Sequence, residues 1–288
     1  MSEIALLTFT AAGLLAGILA GFLGIGGGTV LVPILVSLGH SPREAVATSS
    51  LSIVITAISG TVQNWRMGYL NFRQVIGIGM PAIVTAQIGA KLATIFSPPV
   101  LLTAFGGLLL LNIYLVQFRQ RITRKQAAIE ALNNQEADSI IEPTIEPTIE
   151  ASQNRDLLTH KSPIYFFLSR ILTGSLAGLL AGLFGVGGGV IMVPLQILLL
   201  NTKIKTAIQT SLGVIVITAI SATTGHALQG NVLWIPGLIL GMGGLLGAQI
   251  STRFLPKLSD RTVSLAFNIL LLILSFYIFW QAWQKYHV

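Results

Sequence analysis

The stretch Gly21–Pro33 reads GFLGIGGGTVLVP, and Gly182–Pro194 reads GLFGVGGGVIMVP. Each lies within long apolar sequence, and each places a proline five residues after three consecutive glycines. A glycine costs a helix about 1 kcal/mol relative to alanine, and proline has no N–H to give a helix interior. The pattern predicts a broken helix at both places. Unpaired backbone is expensive in hydrocarbon, so such a break survives only where protein buries it or where it lines a polar cavity.

Outward from the breaks, Gly13–Pro33 aligns with Gly174–Pro194 at a constant offset of 161, with 13 identities in 21 positions. The same offset carries Ser50 and Leu51 onto Ser211 and Leu212. It becomes 162 where Ala86, Gln87 and Ile88 match Ala248, Gln249 and Ile250, and where Lys91 matches Arg253. The chain therefore reads as an internal duplication. Apolar segments at 4–25, 29–38, 45–62, 75–96 and 100–118 recur at 164–186, 190–200, 206–228, 232–255 and 262–283.

These features predict an all-α integral membrane protein of two homologous halves, each with four to five transmembrane segments and a glycine-rich helix break. The first repeat is expected at 1–118 and the second at 164–288. Between them, 119–163 is polar and includes IEPTIEPTIE, whose prolines at every fourth residue forbid a continuous helix. It reads as a low-complexity cytoplasmic linker.

Composition agrees, with 53% hydrophobic and 9% charged residues and a mean hydropathy of +0.79. A soluble domain could not cover its surface with that mixture. Seven of the ten acids (Glu130, Glu136, Asp138, Glu142, Glu146, Glu150 and Asp156) fall in the linker, and Glu3, Glu44 and Asp260 sit at segment ends. The net charge of +7 comes from short basic flanks such as Arg119, Arg121, Arg124 and Lys125, which orient membrane segments and do not form a nucleic-acid groove. There is no cysteine, which removes disulfides, thiol catalysis and cysteine metal sites. No basic leader or small-residue cleavage pattern marks the first apolar segment, which is read as retained structure.

Lys and Arg counting places Arg66 and Arg73, the linker start, Lys203 and Lys205, and Lys257 and Arg261 on one side if every segment crosses. Five crossings per half would make the repeats inverted, with both chain ends outside. The segments 29–38 and 190–200 are too short to span as straight helices; if they re-enter instead, each half has four crossings and the halves are parallel.

A half-helix that starts at a break offers N–H groups and the positive end of its dipole to an anion. Small-residue helix packing is the competing use of glycine, and Gly13, Gly17 and Gly21 at four-residue spacing suit it. A dinucleotide fingerprint is disfavoured because Thr29 stands where its third glycine belongs. The candidate anion contacts are Gly26, Gly27 and Gly28 with Gly187, Gly188 and Gly189. Hydroxyls crowd the next segment, at Thr48, Ser49, Ser50, Ser52 and Thr56, with Thr210, Ser211 and Thr218 in its repeat. Of these, Ser49, Ser50, Thr210 and Ser211 are taken as substrate contacts, because a hydroxyl donates to an oxyanion without burying charge. Bonding to their own helix backbone is the alternative. Gln87 and Gln249 add amides. Lys91 and Arg253 either extend the anion path or snorkel to the headgroups. His226, near a segment end, reads as interfacial.

The doubled G-x-x-G-x-G-G-G-x-x-x-x-P, together with A-x-x-x-S-S-L at Ala45–Leu51 and T-x-x-x-T-S-L at Thr206–Leu212, resembles the TauE/SafE sulfite exporter family of membrane permeases. The resemblance covers the chain except its linker, which is longer than the family needs. It implies export of sulfite, sulfoacetate or a related organosulfonate.

The expected partners are a small anionic substrate and the lipid bilayer of the cell membrane, with no nucleic acid, no cofactor and no metal. No acid lies inside an expected span, which disfavours a carboxylate proton relay. A potential negative inside favours anion exit by about 2.3 kcal/mol per charge per 100 mV, so an exporter needs no coupling ion. An anion channel and a cation-coupled importer are the alternatives. A membrane enzyme would need a base and an orienting group beside the hydroxyls, and only His226 is near.

Overall fold

A computed structural model describes residues 3–111, 113–114 and 163–286. All of the expected linker except Pro163 lies outside the described residues. The described chain is helical: α1 (Glu3–Leu23), α2 (Gly28–Ser37), α3 (Pro42–Arg66), α4 (Phe72–Ile95), α5 (Pro98–Leu111), α6 (Pro163–Phe184), α7 (Gly189–Leu199), α8 (Ile204–Leu228), α9 (Trp234–Phe254) and α10 (Asp260–Tyr286). A 3-10 turn, Leu255–Lys257, joins the last two. Seven helices, α1, α3, α4, α6, α8, α9 and α10, are long and apolar enough to cross a membrane, so the protein is a multi-pass membrane protein.

Helix starts follow local chemistry. Ser41 and Glu44 form a capping box at α3: the Ser41 N–H donates to Glu44 Oε2 at 2.9 Å, and the Glu44 N–H donates to Ser41 Oγ at 3.3 Å. Pro42 follows at the first helical position, so α3 begins three residues before the expected segment. Asn71 caps α4 by accepting from the Gln74 N–H at 3.2 Å. The start of α9 is held from outside its own half, where the Leu233 N–H donates to Thr48 Oγ1 at 3.1 Å.

The direction of each helix can be read from its contacts. Gly13 and Gly17 of α1 abut Leu240 and Gly244 of α9, in the same order along both helices. Gly174, Gly178 and Gly182 of α6 abut Ile78, Ala82 and Ala86 of α4, again in parallel. These glycine stripes remove the side chains that would hold the backbones apart. Gly237 and Gly241 of α9 meet Leu51 and Ile55 of α3, while Gly213 of α8 meets Val75 of α4, and Gly79 of α4 meets Ile217 of α8. Thus α1, α3 and α9 run one way. The α3–α4 turn reverses the chain, so α4, α6 and α8 run the other way.

Because α1 and α3 are parallel, the chain returns between them through the first break and α2, which is about 15 Å long at 1.5 Å per residue. α7 does the same between α6 and α8. One face of the bundle collects the turns bearing Arg66, Arg73, Lys203, Lys205, Lys257 and Arg261. The chain enters α1 at the opposite face. α3 and α8 form the centre, with 72% of each apolar window buried against 50% or less for the other five spanning helices. Those five carry the lipid-facing side chains, among them Leu7, Val84, Ile164, Leu246 and Phe276.

Candidate functional site: two crossed helix breaks

Both breaks are buried at the centre, and they touch. Gly27 and Gly188 cap α2 and α7 with φ of 78° each, a left-handed backbone that favours glycine. The next residue of each break has no room for a side chain. A Cβ on Gly28 would collide with the Gly185 carbonyl oxygen, and one on Gly189 would collide with that of Gly24. Ile53 and Ile215 close over the crossing, each lying near both Gly26 and Gly187.

Two half-helices therefore begin side by side and point away from each other. The first N–H groups of α2 accepted by the helix itself are those of Val30 and Leu31, both bonded to the Gly27 carbonyl at 3.1 Å. In α7 it is the Met192 N–H, bonded to Gly188 O at 3.1 Å. The N–H groups before them belong to the unpaired first turn. Two positive dipole ends thus converge among buried residues, and that arrangement favours an anion. Thr29 adds a hydroxyl that is fully buried and has no protein partner. Sequence reasoning passed over it, although a hydroxyl directly after the glycine run was the available signal.

The carbonyls of the breaks are served by the opposite half. Ser49 Oγ lies 2.7 Å from the Gly185 carbonyl, and Ser211 Oγ lies 2.8 Å from that of Gly24. Within the second half, Thr218 Oγ1 donates to Gly187 O at 2.8 Å. The hydroxyl protons of Ser49 and Ser211 are thereby directed at backbone. Ser50 donates to Val46 O at 2.9 Å, one turn back on its own helix. Of the four expected hydroxyl contacts, Thr210 alone has a buried Oγ1 without a protein partner.

These bonds also correct the register. By position and partner, Ser49 corresponds to Ser211, and Ile53 to Ile215, at an offset of 162; the sequence alignment had matched Ser50 with Ser211 at 161. The extra residue lies before α8, where α7 has 11 residues to the 10 of α2.

The glutamines sit apart from the crossing. Gln87 Nε2 donates to Ser221 O at 2.6 Å, and Gln249 Nε2 donates to Ser59 O at 3.2 Å, so each amide ties one half to the central helix of the other. Ser59 and Ser221 complete these ties by bonding Leu245 O and Ile83 O at 2.8 and 2.7 Å. Lys91 and Arg253 are exposed near helix ends. His226, two residues from the end of α8, has its ring folded inward against α6. It is 1% exposed, with Nε2 2.8 Å from Gly182 O.

The family model for "Sulfite exporter TauE/SafE" matches residues 9–278. The chain is similar to the probable membrane transporter protein YunE of Bacillus subtilis, with 24% identity over 270 residues, covering 91% of this chain and 93% of that one. It is 40% identical over 106 residues to a probable membrane transporter protein of Haemophilus influenzae, covering 34% of this chain and 40% of the relative. Over 121 residues it is 31% identical to "Sulfite exporter TauE/SafE family protein 5" of Arabidopsis thaliana, covering 35% of this chain and 27% of that protein. No solved structure matches. A match across both breaks and nearly the whole bundle places the chain in a family of membrane transporters: it belongs to the sulfite exporter TauE/SafE family.

Proposed function

We propose that this protein is a secondary carrier that exports a small oxyanion, sulfite or an organosulfonate such as sulfoacetate, through the crossed breaks. The observation that carries the reading is the meeting of two half-helix starts, at Gly28 and Gly189, in the buried centre. Gly26, Gly27, Gly28 and Gly187, Gly188, Gly189 supply backbone, and Thr29 supplies a free hydroxyl. Ser49 and Ser211 hold the breaks in shape, and Thr210 is the hydroxyl left to reach a substrate.

The two halves are read as inverted repeats. The opposed directions of α1 and α6, and of α3 and α8, support that reading. The Lys and Arg of the basic face then lie in the cytoplasm, as does the linker. Rocking of one half against the other would expose the crossing alternately to each side. Acids in the described helices are confined to first turns, at Glu3, Glu44 and Asp260, and the membrane potential supplies the driving force for an anion.

The test is flux in proteoliposomes for sulfite, sulfoacetate, sulfate, thiosulfate and short carboxylates. Saturable flux of sulfite or sulfoacetate, accelerated by the same anion on the far side, is the expected result. Flux that neither saturates nor exchanges would assign a channel, and no flux of any sulfur oxyanion would remove the reading.

A further inference from the structure

The duplication is chemically uneven around Arg170. Arg170, the eighth residue of α6, stands about 11 Å along that helix from its start on the basic face. Its aliphatic stem packs at Gly77 of α4, with Cδ 3.4 Å from where a Cβ would be. The guanidinium Nε is buried without a protein acceptor. A cation inside an apolar helix is costly unless something pairs with it, and such residues mark substrate paths.

Polar groups, some of them without partners, lie one turn away on α6 and α4 and continue from there to α7 and α8. One turn along α6, Thr173 is fully buried and its Oγ1 has no partner. One turn before Gly77, Gln74 donates through Nε2 to Oε1 of the fully buried Gln196 at 3.3 Å. Gln196 Nε2 in turn reaches Ala207 O at 3.4 Å, one turn before Thr210 with its unpartnered hydroxyl. The places that correspond to Arg170, Thr173 and Gln196 in the first half, 161 residues earlier, hold Phe9, Ala12 and Leu35, all buried and apolar.

We infer that Arg170, with Thr173, Thr210 and the Gln74–Gln196 pair, forms an entry site that loads an oxyanion from the basic face before it reaches the crossed breaks. The ligand class is a small anion with two or more oxygens on one centre, which the guanidinium fork takes in a bidentate way while the hydroxyls donate to a further oxygen. The surrounding Arg73, Lys203 and Lys205 raise the anion concentration at that face. This site rests on the transport reading above. The phosphate of an anionic lipid has the same chemistry, so the test separates the two.

The test measures KM for sulfite and sulfoacetate from each face, in oriented proteoliposomes of phosphatidylcholine alone and with added phosphatidylglycerol. Arg170→Gln is expected to raise KM at the basic face by roughly 10- to 100-fold, the loss of charge-assisted hydrogen bonds. KM at the other face and kcat for flux from the basic face stay within about twofold. The kcat for flux from the other face falls by the same factor, because a passive carrier must lose kcat/KM equally from both faces, and Arg170→Lys recovers part of the loss. Thr173→Val, expected to raise the same KM several-fold, keeps the test decisive if Arg170→Gln does not reach the membrane. Wild-type KM at both faces in the variant that inserts would overturn the entry site and leave the carrier standing. An effect seen only with phosphatidylglycerol would assign Arg170 to a lipid headgroup and also overturn it. A wild-type protein that moves neither anion would remove the carrier reading and this site together.

Discussion

Gly28 rests directly against the carbonyl of Gly185, so the break in one half is shaped by the break in the other. The reciprocal contact, Gly189 on Gly24, makes the crossing a mutual fit of four glycines. Backbone meets backbone there, and no side chain can rotate away to make room. Gly28→Ala and Gly189→Ala are each expected to cut flux by more than tenfold and to cost about 1–3 kcal/mol of stability through overpacking. Paired flux and thermal-melt measurements on inserted protein check this.

Thr29 separates function from stability. Its hydroxyl is buried without a protein partner, which is unfavourable in the absence of ligand. Thr29→Val should therefore leave the melting temperature equal to or above wild type while raising KM several-fold. A fall in stability with unchanged KM would make the hydroxyl structural.

Ser49 and Ser211 should behave in the opposite way to Ser50. Ser49→Ala or Ser211→Ala strands a buried carbonyl of the opposite break, at about 1–3 kcal/mol each. Ser50→Ala removes only a bond to its own helix and should fall within about 0.5 kcal/mol of wild type. Chemical or thermal unfolding of the three variants in one detergent gives the comparison.

Much of this was legible in the sequence. Three glycines and a proline in apolar surroundings announce a break through backbone entropy and a missing N–H, which are local properties. Its partner is not local. That Gly28 meets Gly185, and that Ser49 serves Gly185, depends on how α3 and α8 cross. The serine register was misread because runs of hydroxyl residues match almost as well one residue out of step, and only the length of α7 places the extra residue. His226 read as interfacial from its distance to a segment end. Its burial depends on the packing of α8 against α6, where its ring meets Gly182 O, a contact between distant parts of the chain.

Lys91 and Arg253 are exposed near helix ends, where long basic side chains commonly extend to the headgroups. Lys91→Gln and Arg253→Gln are expected to change flux by less than about twofold. A larger loss in both would return them to the anion path.

Topology gives an independent check. With α2 and α7 returning the chain, the inverted reading predicts that a reporter fused after Val288 is active outside the cell and one inserted in 119–163 is active inside. Both reporters on the same side would contradict the opposed halves.

The most direct measurement of the central claim is sulfite and sulfoacetate flux through the double variant Gly27→Leu, Gly188→Leu in proteoliposomes. Both glycines hold φ of 78°, and a leucine there is strained. With membrane insertion verified, the crossed-break account predicts flux at the level of empty liposomes beside saturable flux in wild type. Flux near the wild-type level in the inserted double variant would contradict it.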